Sequence, residues 1–256
     1  MDHGPIVVVI LPTLRAFSLA FRRESCDPAR PMPSSHRPYD FGANWRSFVR
    51  SHLTLESRRE ALKAMRSFLG VESLAGKTFV DIGCGSGLHS WAAYKLGASQ
   101  VISFDADPES VACCEQLRLE EGRPANWEVA TLSILDEAAV ANLGQFDIVY
   151  CWGVLHHTGR MWRALEHTAQ MVAPGGVMWL AIYNRMDGVG LHSDGRVGSS
   201  RFWEREKALY NALPKIGQRV LDSLAAGGMI TGYLIAGKNP IREIKTHRSN
   251  RGMAWL

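Results

Sequence analysis

Five short apolar runs recur through the middle of the chain: "TFVDIG" (78–83), "VISFDA" (101–106), "WEVATLS" (127–133), "FDIVYCW" (146–152) and "GVMWLAIYN" (176–184). Each is apolar almost throughout rather than alternating, which is the pattern of parallel strands buried on both faces. The stretches between them, "LHSWAAYKLGA", "PESVACCEQLRLEE", "DEAAVANL" and "MWRALEHTAQMVAPGG", have helical spacing or composition. Strands and helices in alternation predict an open, doubly wound α/β sheet. Its ligand belongs beyond the carboxyl ends of the strands, near the switch point beside the first one.

Upstream, "SRREALKAMRSFLG" places Leu62, Met65 and Leu69 on one face, with Ser57 as a plausible N-cap and Gly70 as the stop, so residues 39–75 read as an N-terminal helical segment. Residues 1–38 read as a disordered extension, because Pro12 and Arg15 interrupt the apolar start and "DPARPMPSSHRP" is linker-like. A targeting signal is the competing reading, weakened by Asp2 and His3 where a basic region belongs. The run is too short for a membrane span of about 20 apolar residues. After Asn184 come a Gly/Ser-rich link, the helical "FWEREKALYNALPKIGQRVLDSLAA" and an ambiguous "GGMITGYLIAG".

Composition is that of one globular domain, with or without an appendage: 256 residues, 46% hydrophobic and 21% charged. The five cysteines form no C-x-x-C pair and have no zinc-like spacing with histidine. They suit reduced thiols of a cytoplasmic protein, and no metal site is expected. A net charge of +4 hides an uneven distribution, −6 over residues 76–190 and +6 over residues 200–256. Basic ends suit nucleic acid or an anionic substrate, yet neither a long basic run nor an aromatic RNA-binding signature accompanies them.

The chemistry is concentrated behind the first strand. Gly76-Lys77-Thr78 imitates the tail of a phosphate-binding loop, but Val71 stands where that loop needs glycine and the sequence precedes a strand instead of following one. A dinucleotide fingerprint beginning at Gly83 fails at Leu88, where its third glycine belongs. What remains is Gly83-Cys84-Gly85-Ser86-Gly87, a G-x-G-x-G turn. Asp105 ends the second strand 24 residues beyond Asp81, where a doubly wound fold places a carboxylate to accept hydrogen bonds from ribose hydroxyls. Turn and acid together describe a nucleoside site that needs no phosphate. The plainer reading of Asp105 is a turn residue ahead of Pro108, and Asp107 reads as a helix N-cap.

In their order and spacing, "FVDIGCGSG", "VISFDADPES", "FDIVYCWGVLHHTG" and "VAPGGVMWLAIYN" resemble the signature motifs of class I S-adenosylmethionine-dependent methyltransferases, over roughly residues 75–185. "YDFGANWRSF" and "SRFWEREKALYNALP" are similar to flanking segments of a bacterial subgroup often labelled ubiquinone-type methylases. The resemblance implies a Rossmann-like core over residues 76–185 with strand order 3-2-1-4-5, and S-adenosyl-L-methionine as cofactor. Gly83, Cys84, Gly85 and Gly87 would bring backbone to it, and Asp81 would fix the loop or hold the ammonium. Asp105 would take the ribose, Ala106, Ser133 and Ile134 the adenine, and Trp152 would wall the pocket. Leu132 departs from the subgroup, which has glycine at that position.

His156 and His157 follow the fourth strand and face the transferable methyl in this resemblance, either as a general base or as structural residues at a helix start. Tyr183 and Asn184 stand between acceptor contacts and helix entry. The subgroup continues into a sixth and an antiparallel seventh strand. The resemblance therefore implies that these are incomplete or absent here, in a truncated chain whose residues 186–256 form a lid. The expected activity is methyl transfer to an O, N or C nucleophile, with a small-molecule acceptor favoured over RNA. A non-catalytic cofactor-binding module is the alternative from a different class.

Overall fold

The computed structural model describes residues 6–11, 41–183, 205, 208–210 and 212–242. Strand β1 (Ile6–Leu11) and helices α1 (Phe41–His52) and α2 (Leu55–Leu69) precede an alternating series. That series is β2 (Thr78–Ile82), α3 (Leu88–Lys95), β3 (Gln100–Asp105), α4 (Pro108–Glu120), β4 (Trp127–Thr131), α5 (Glu137–Asn142), β5 (Phe146–Trp152), α6 (Met161–Gln170) and β6 (Val172–Tyr183). The described residues from Val7 to Ile182 belong to one compact unit and those from Tyr183 to Arg242 to another, which contains the helix α7 (Lys215–Ile235). The ambiguous "GGMITGYLIAG" is resolved as the C-terminal half of α7, helical through Gly227, Gly228 and Gly232 as far as Ile235.

The sheet order is β1-β6-β5-β2-β3-β4, and the five strands from β2 to β6 are parallel neighbours. Counted from the first apolar run, this is the expected 3-2-1-4-5. The expectation of a disordered extension is corrected at residues Ile6–Leu11, which form a strand beside β6. "IVVVIL" is rich in β-branched residues, and the open edge of a sheet presents the unpaired backbone groups such a run needs.

Register sorts the strand residues onto two faces. Val80 lies between Ile102 and Val149, and with Ile82, Phe104, Cys151, Leu165, Met178 and Leu180 it belongs to one hydrophobic core cluster. On the opposite face Asp81 lies between Ser103 and Tyr150, and Tyr150 is paired with Trp179. A mixed polar and aromatic row thus crosses the middle of the sheet.

Helix α2 begins one turn earlier than expected. Thr54, not Ser57, is the N-cap: its hydroxyl accepts the Ser57 N–H at 3.2 Å while the Ser57 hydroxyl accepts the Thr54 N–H at 2.8 Å, a reciprocal capping box. The helix ends at Gly70, as the sequence indicates, in the left-handed conformation at φ 65°.

Candidate functional site

The turn after β2 is built from glycines for two different reasons. At Gly87, with φ 78°, an added Cβ would stand 2.7 Å from the Cα of Cys114, so the absence of a side chain lets α4 press against the turn. At Gly85, with φ 52°, it would stand 2.6 Å from Cε2 of Trp45, so this glycine faces α1. Gly83 has Val154, in the segment after β5, against its Cα.

Asp105, at the end of β3, holds this turn in place. Its Oδ2 accepts the Gly85 N–H at 3.1 Å and its Oδ1 accepts the Asp107 N–H at 3.0 Å. Burial raises its pKa, opposed by these backbone donors. Asp107 is the N-cap of α4, as expected, accepting the Glu109 N–H at 2.9 Å.

Asp81 is 2% exposed, and its Oδ2 accepts the Ser90 hydroxyl at 2.5 Å. Burial pushes its carboxyl up to about 7, with a further push from Asp105, against the Ser90 hydrogen bond. His89 also lies in the first turn of α3. Its ring stands 4.8 Å from that of Tyr150, and burial lowers its pKa to about 4, so it is neutral at physiological pH.

Trp45, Asp81, Gly83, Cys84, Ser86, His89, Tyr150 and Trp152 line one cleft at the carboxyl ends of β2 and β5, which is the expected switch point. The indole N–H of Trp152 is buried there without an acceptor. Cys84 is buried and its thiol is held well above the usual range by a hydrogen bond with Cys114 and by burial, so it serves as wall rather than nucleophile.

The residues expected around adenine are only partly brought to this place. The Leu132 N–H donates to the Asp105 carbonyl at 2.9 Å, so the segment after β4 lies beside Asp105, and Ala106 is exposed next to it. Ser133 spends its hydroxyl on the Leu135 N–H at 3.2 Å. The Ile134 side chain is 5% exposed and packs in the core, with its carbonyl 2.7 Å from His167 Nδ1.

Neither His156 nor His157 is among the cleft residues. Both lie in a 3-10 turn, Leu155–His157, with ring centroids 4.0 Å apart, and the His157 ring is 4.9 Å from Phe41 of α1. The histidine that does line the cleft is His89, in the first turn of α3, which the sequence pattern alone does not single out. Among the described residues no group of three or more His, Cys, Asp or Glu could hold a metal ion. Asn184 lies outside the described residues.

Residues 80–178 match the family profile described as "Methyltransferase domain". This part of the chain is a class I S-adenosylmethionine-dependent methyltransferase domain. The chain is 35% identical over 120 residues to the ubiquinone biosynthesis O-methyltransferase of Methylobacterium sp. (strain 4-46), covering 47% of this chain and 46% of that protein. It is 36% identical over 107 residues to the tRNA U34 carboxymethyltransferase of Saccharophagus degradans, covering 42% and 32% respectively. Among solved structures, the N-methyltransferase NodS from Bradyrhizobium japonicum WM9, in complex with S-adenosyl-L-homocysteine, aligns at 17% identity and a TM-score of 0.42, over 54% of this chain and 71% of that one. The match thus spans less than half the length of these two curated relatives.

The residues of this methyltransferase domain fit its cofactor. A turn whose Gly85 lacks a side chain toward the cleft, the Asp105 carboxylate fixed beside it, and the Asp81 carboxyl with an orphaned indole N–H within the cleft are groups a cationic nucleoside could use. Among the described residues no helix is long and apolar enough to cross a membrane.

Proposed function

We propose that the protein transfers a methyl group from S-adenosylmethionine to an O, N or C nucleophile of a small-molecule acceptor. The observation that carries this reading is the Asp105–Gly85 hydrogen bond, which joins the ribose acid to the glycine turn at the edge of a cleft containing Asp81. S-adenosylmethionine supplies an activated methyl sulfonium, so the protein's task is alignment and exclusion of water rather than activation.

In this reading Asp81, Gly83, Cys84, Gly85, Gly87, Asp105 and Trp152 form the cofactor site, and Ala106 and Ser133 flank its adenine end. His156 and His157 keep the part of a turn that positions the segment after β5. The ubiquinone-directed relative supports a phenolic or quinone-type acceptor. A second reading, an RNA acceptor, draws support from the tRNA-directed relative and from the net charge of +6 over residues 200–256.

The test is incubation of the protein and methyl-labelled cofactor with cell extract, separated into small molecules and RNA before mass spectrometry. Label in the small-molecule fraction supports the first reading and label in RNA the second. Cofactor binding without labelling of any fraction would point instead to a non-catalytic module.

A further inference from the structure

Helix α7 leaves an apolar face to solvent. None of its residues is buried, and Ile216, Val220, Leu224, Ile230 and Leu234 are between 39 and 77% exposed. At 3.6 residues per turn these five fall within roughly a third of the circumference, the width of an amphipathic stripe. A shallow groove on that face is lined by Ile216, Arg219, Val220, Ser223 and Leu224. Contiguous exposed apolar surface of this kind marks an interaction site. Gly227, Gly228 and Gly232 lie inside the helix and weaken it in water, so the segment gains from a surface that takes up its apolar side.

Charge decides which surface that is. Lys215, Arg219, Lys238 and Arg242 stand towards the two ends of the segment 215–242, against one acid, Asp222. The Asp222 carboxylate accepts the Tyr210 hydroxyl at 3.1 Å. No charged residue occurs from Ser223 to Gly237. A second copy of the helix would bring like charges together, which opposes association. RNA is held by cations spread along its phosphates, whereas the middle of this face is apolar.

An anionic lipid surface matches both features. The apolar stripe enters the boundary between headgroups and acyl chains, and basic residues meet the negative headgroups. Arg219, on the flank of the groove, can lay its stem on apolar surface and extend its charge to the headgroups. The helix does not cross the bilayer. Its charge-free stretch, Ser223 to Gly237, rises about 22 Å at 1.5 Å per residue, short of the roughly 30 Å of hydrocarbon that a span must cross.

We propose that α7 docks the protein on an anionic lipid surface, lying in the plane of the membrane with Ile216, Val220, Leu224, Ile230 and Leu234 towards the acyl chains. The inference goes beyond the methyl-transfer reading and does not rest on it.

The experiment is flotation of the full chain, without cofactor, on vesicles of phosphatidylcholine with and without phosphatidylglycerol. The protein should partition onto the anionic vesicles about tenfold more strongly than onto the neutral ones. Leu224→Gln, on the apolar face, should lower that partition about tenfold, the loss expected for one apolar side chain that no longer leaves water. Met229→Gln, on the opposite face, should change it less than about twofold. Both side chains are exposed, at 66 and 46%, so unfolding curves should match wild type and show that the comparison is between folded proteins. Failure to bind anionic vesicles, equal binding to both kinds, or equal losses in the two variants would each overturn the proposal. So would binding of a single-stranded RNA oligonucleotide in place of vesicles, or self-association in light scattering that Leu224→Gln abolishes in a protein that ignores vesicles.

Discussion

The Asp105 carboxylate accepts the backbone N–H of Gly85 at 3.1 Å, so the acid proposed to hold the ribose is also the clasp that shapes the glycine turn. Its second oxygen is engaged as well, by the Asp107 N–H at 3.0 Å. In the proposed site, cofactor affinity and turn geometry are therefore coupled through one side chain.

Asp105→Asn should be more harmful than its size suggests. An amide has one acceptor oxygen, and both carboxylate oxygens receive backbone donors, so one N–H loses its partner at a cost of about 1–3 kcal/mol. Asp107→Asn keeps a good N-cap for α4 and should cost only a few tenths of a kcal/mol. Thermal unfolding, with calorimetric titration of S-adenosylhomocysteine, checks both, and equal effects at the two positions would contradict the assignment of Asp105.

The two inner glycines should separate fold from function. Gly87→Ala puts a methyl 2.7 Å from the Cys114 backbone, and such overpacking costs about 1–3 kcal/mol in addition to left-handed strain. Gly85→Ala meets the Trp45 side chain instead, and its main effect should be on cofactor binding. Gly122→Ala, at φ 80° with nothing within 4 Å, measures the strain alone. The comparison needs unfolding curves for all three and Kd values for S-adenosylhomocysteine.

Asp81 makes stability depend on pH in a definite direction. Its folded-state pKa is raised from 3.8 to about 7 by burial, so the stability contributed by the protonated carboxyl is full below about 3.8 and lost as pH rises through about 7. Asp81→Asn should therefore stabilise the free protein relative to wild type above pH 7 and not below pH 4. His89 acts oppositely. Its pKa is lowered from 6.5 to about 4, so its contribution is lost as pH falls through that window, and it is present in both proteins and cancels in the difference. A difference in Tm between wild type and Asp81→Asn that is flat from pH 4 to 8 would contradict the buried, protonated carboxyl.

Binding of a cation beside Asp81 should drive its proton off. At pH 6, titration with S-adenosylmethionine in buffers of different ionisation enthalpy should reveal proton release. Asp81→Asn should abolish the release and weaken binding.

Strand β1 covers the outer edge of β6. Deleting residues 1–11 exposes that row of unpaired backbone groups, which promotes edge-to-edge association. Light scattering should show larger species than for the 256-residue chain, and an unchanged mass would show that the edge needs no cover.

The alternation of strands and helices, the glycine turn and the places of Asp81 and Asp105 in and at the end of their strands were legible in the residue order. They are local: a run of five to seven residues sets a buried parallel strand, and the turn and the acid fall at strand ends, where the fold places its ligands. The strand order itself came by resemblance rather than from any run. What the chain order could not show was which distant side chains meet at the site. Trp45 reaches Gly85 only because α1 docks across three loops, and Tyr150 stands beside Asp81 only because β5 is the parallel neighbour of β2. His89 was overlooked because a histidine two residues into a helix looks the same whether that helix turns it to water or to the sheet. The place of "IVVVIL" on the edge of β6 was hidden for the same reason, since a strand's partner is chosen by unpaired backbone more than 160 residues away, not by the run itself.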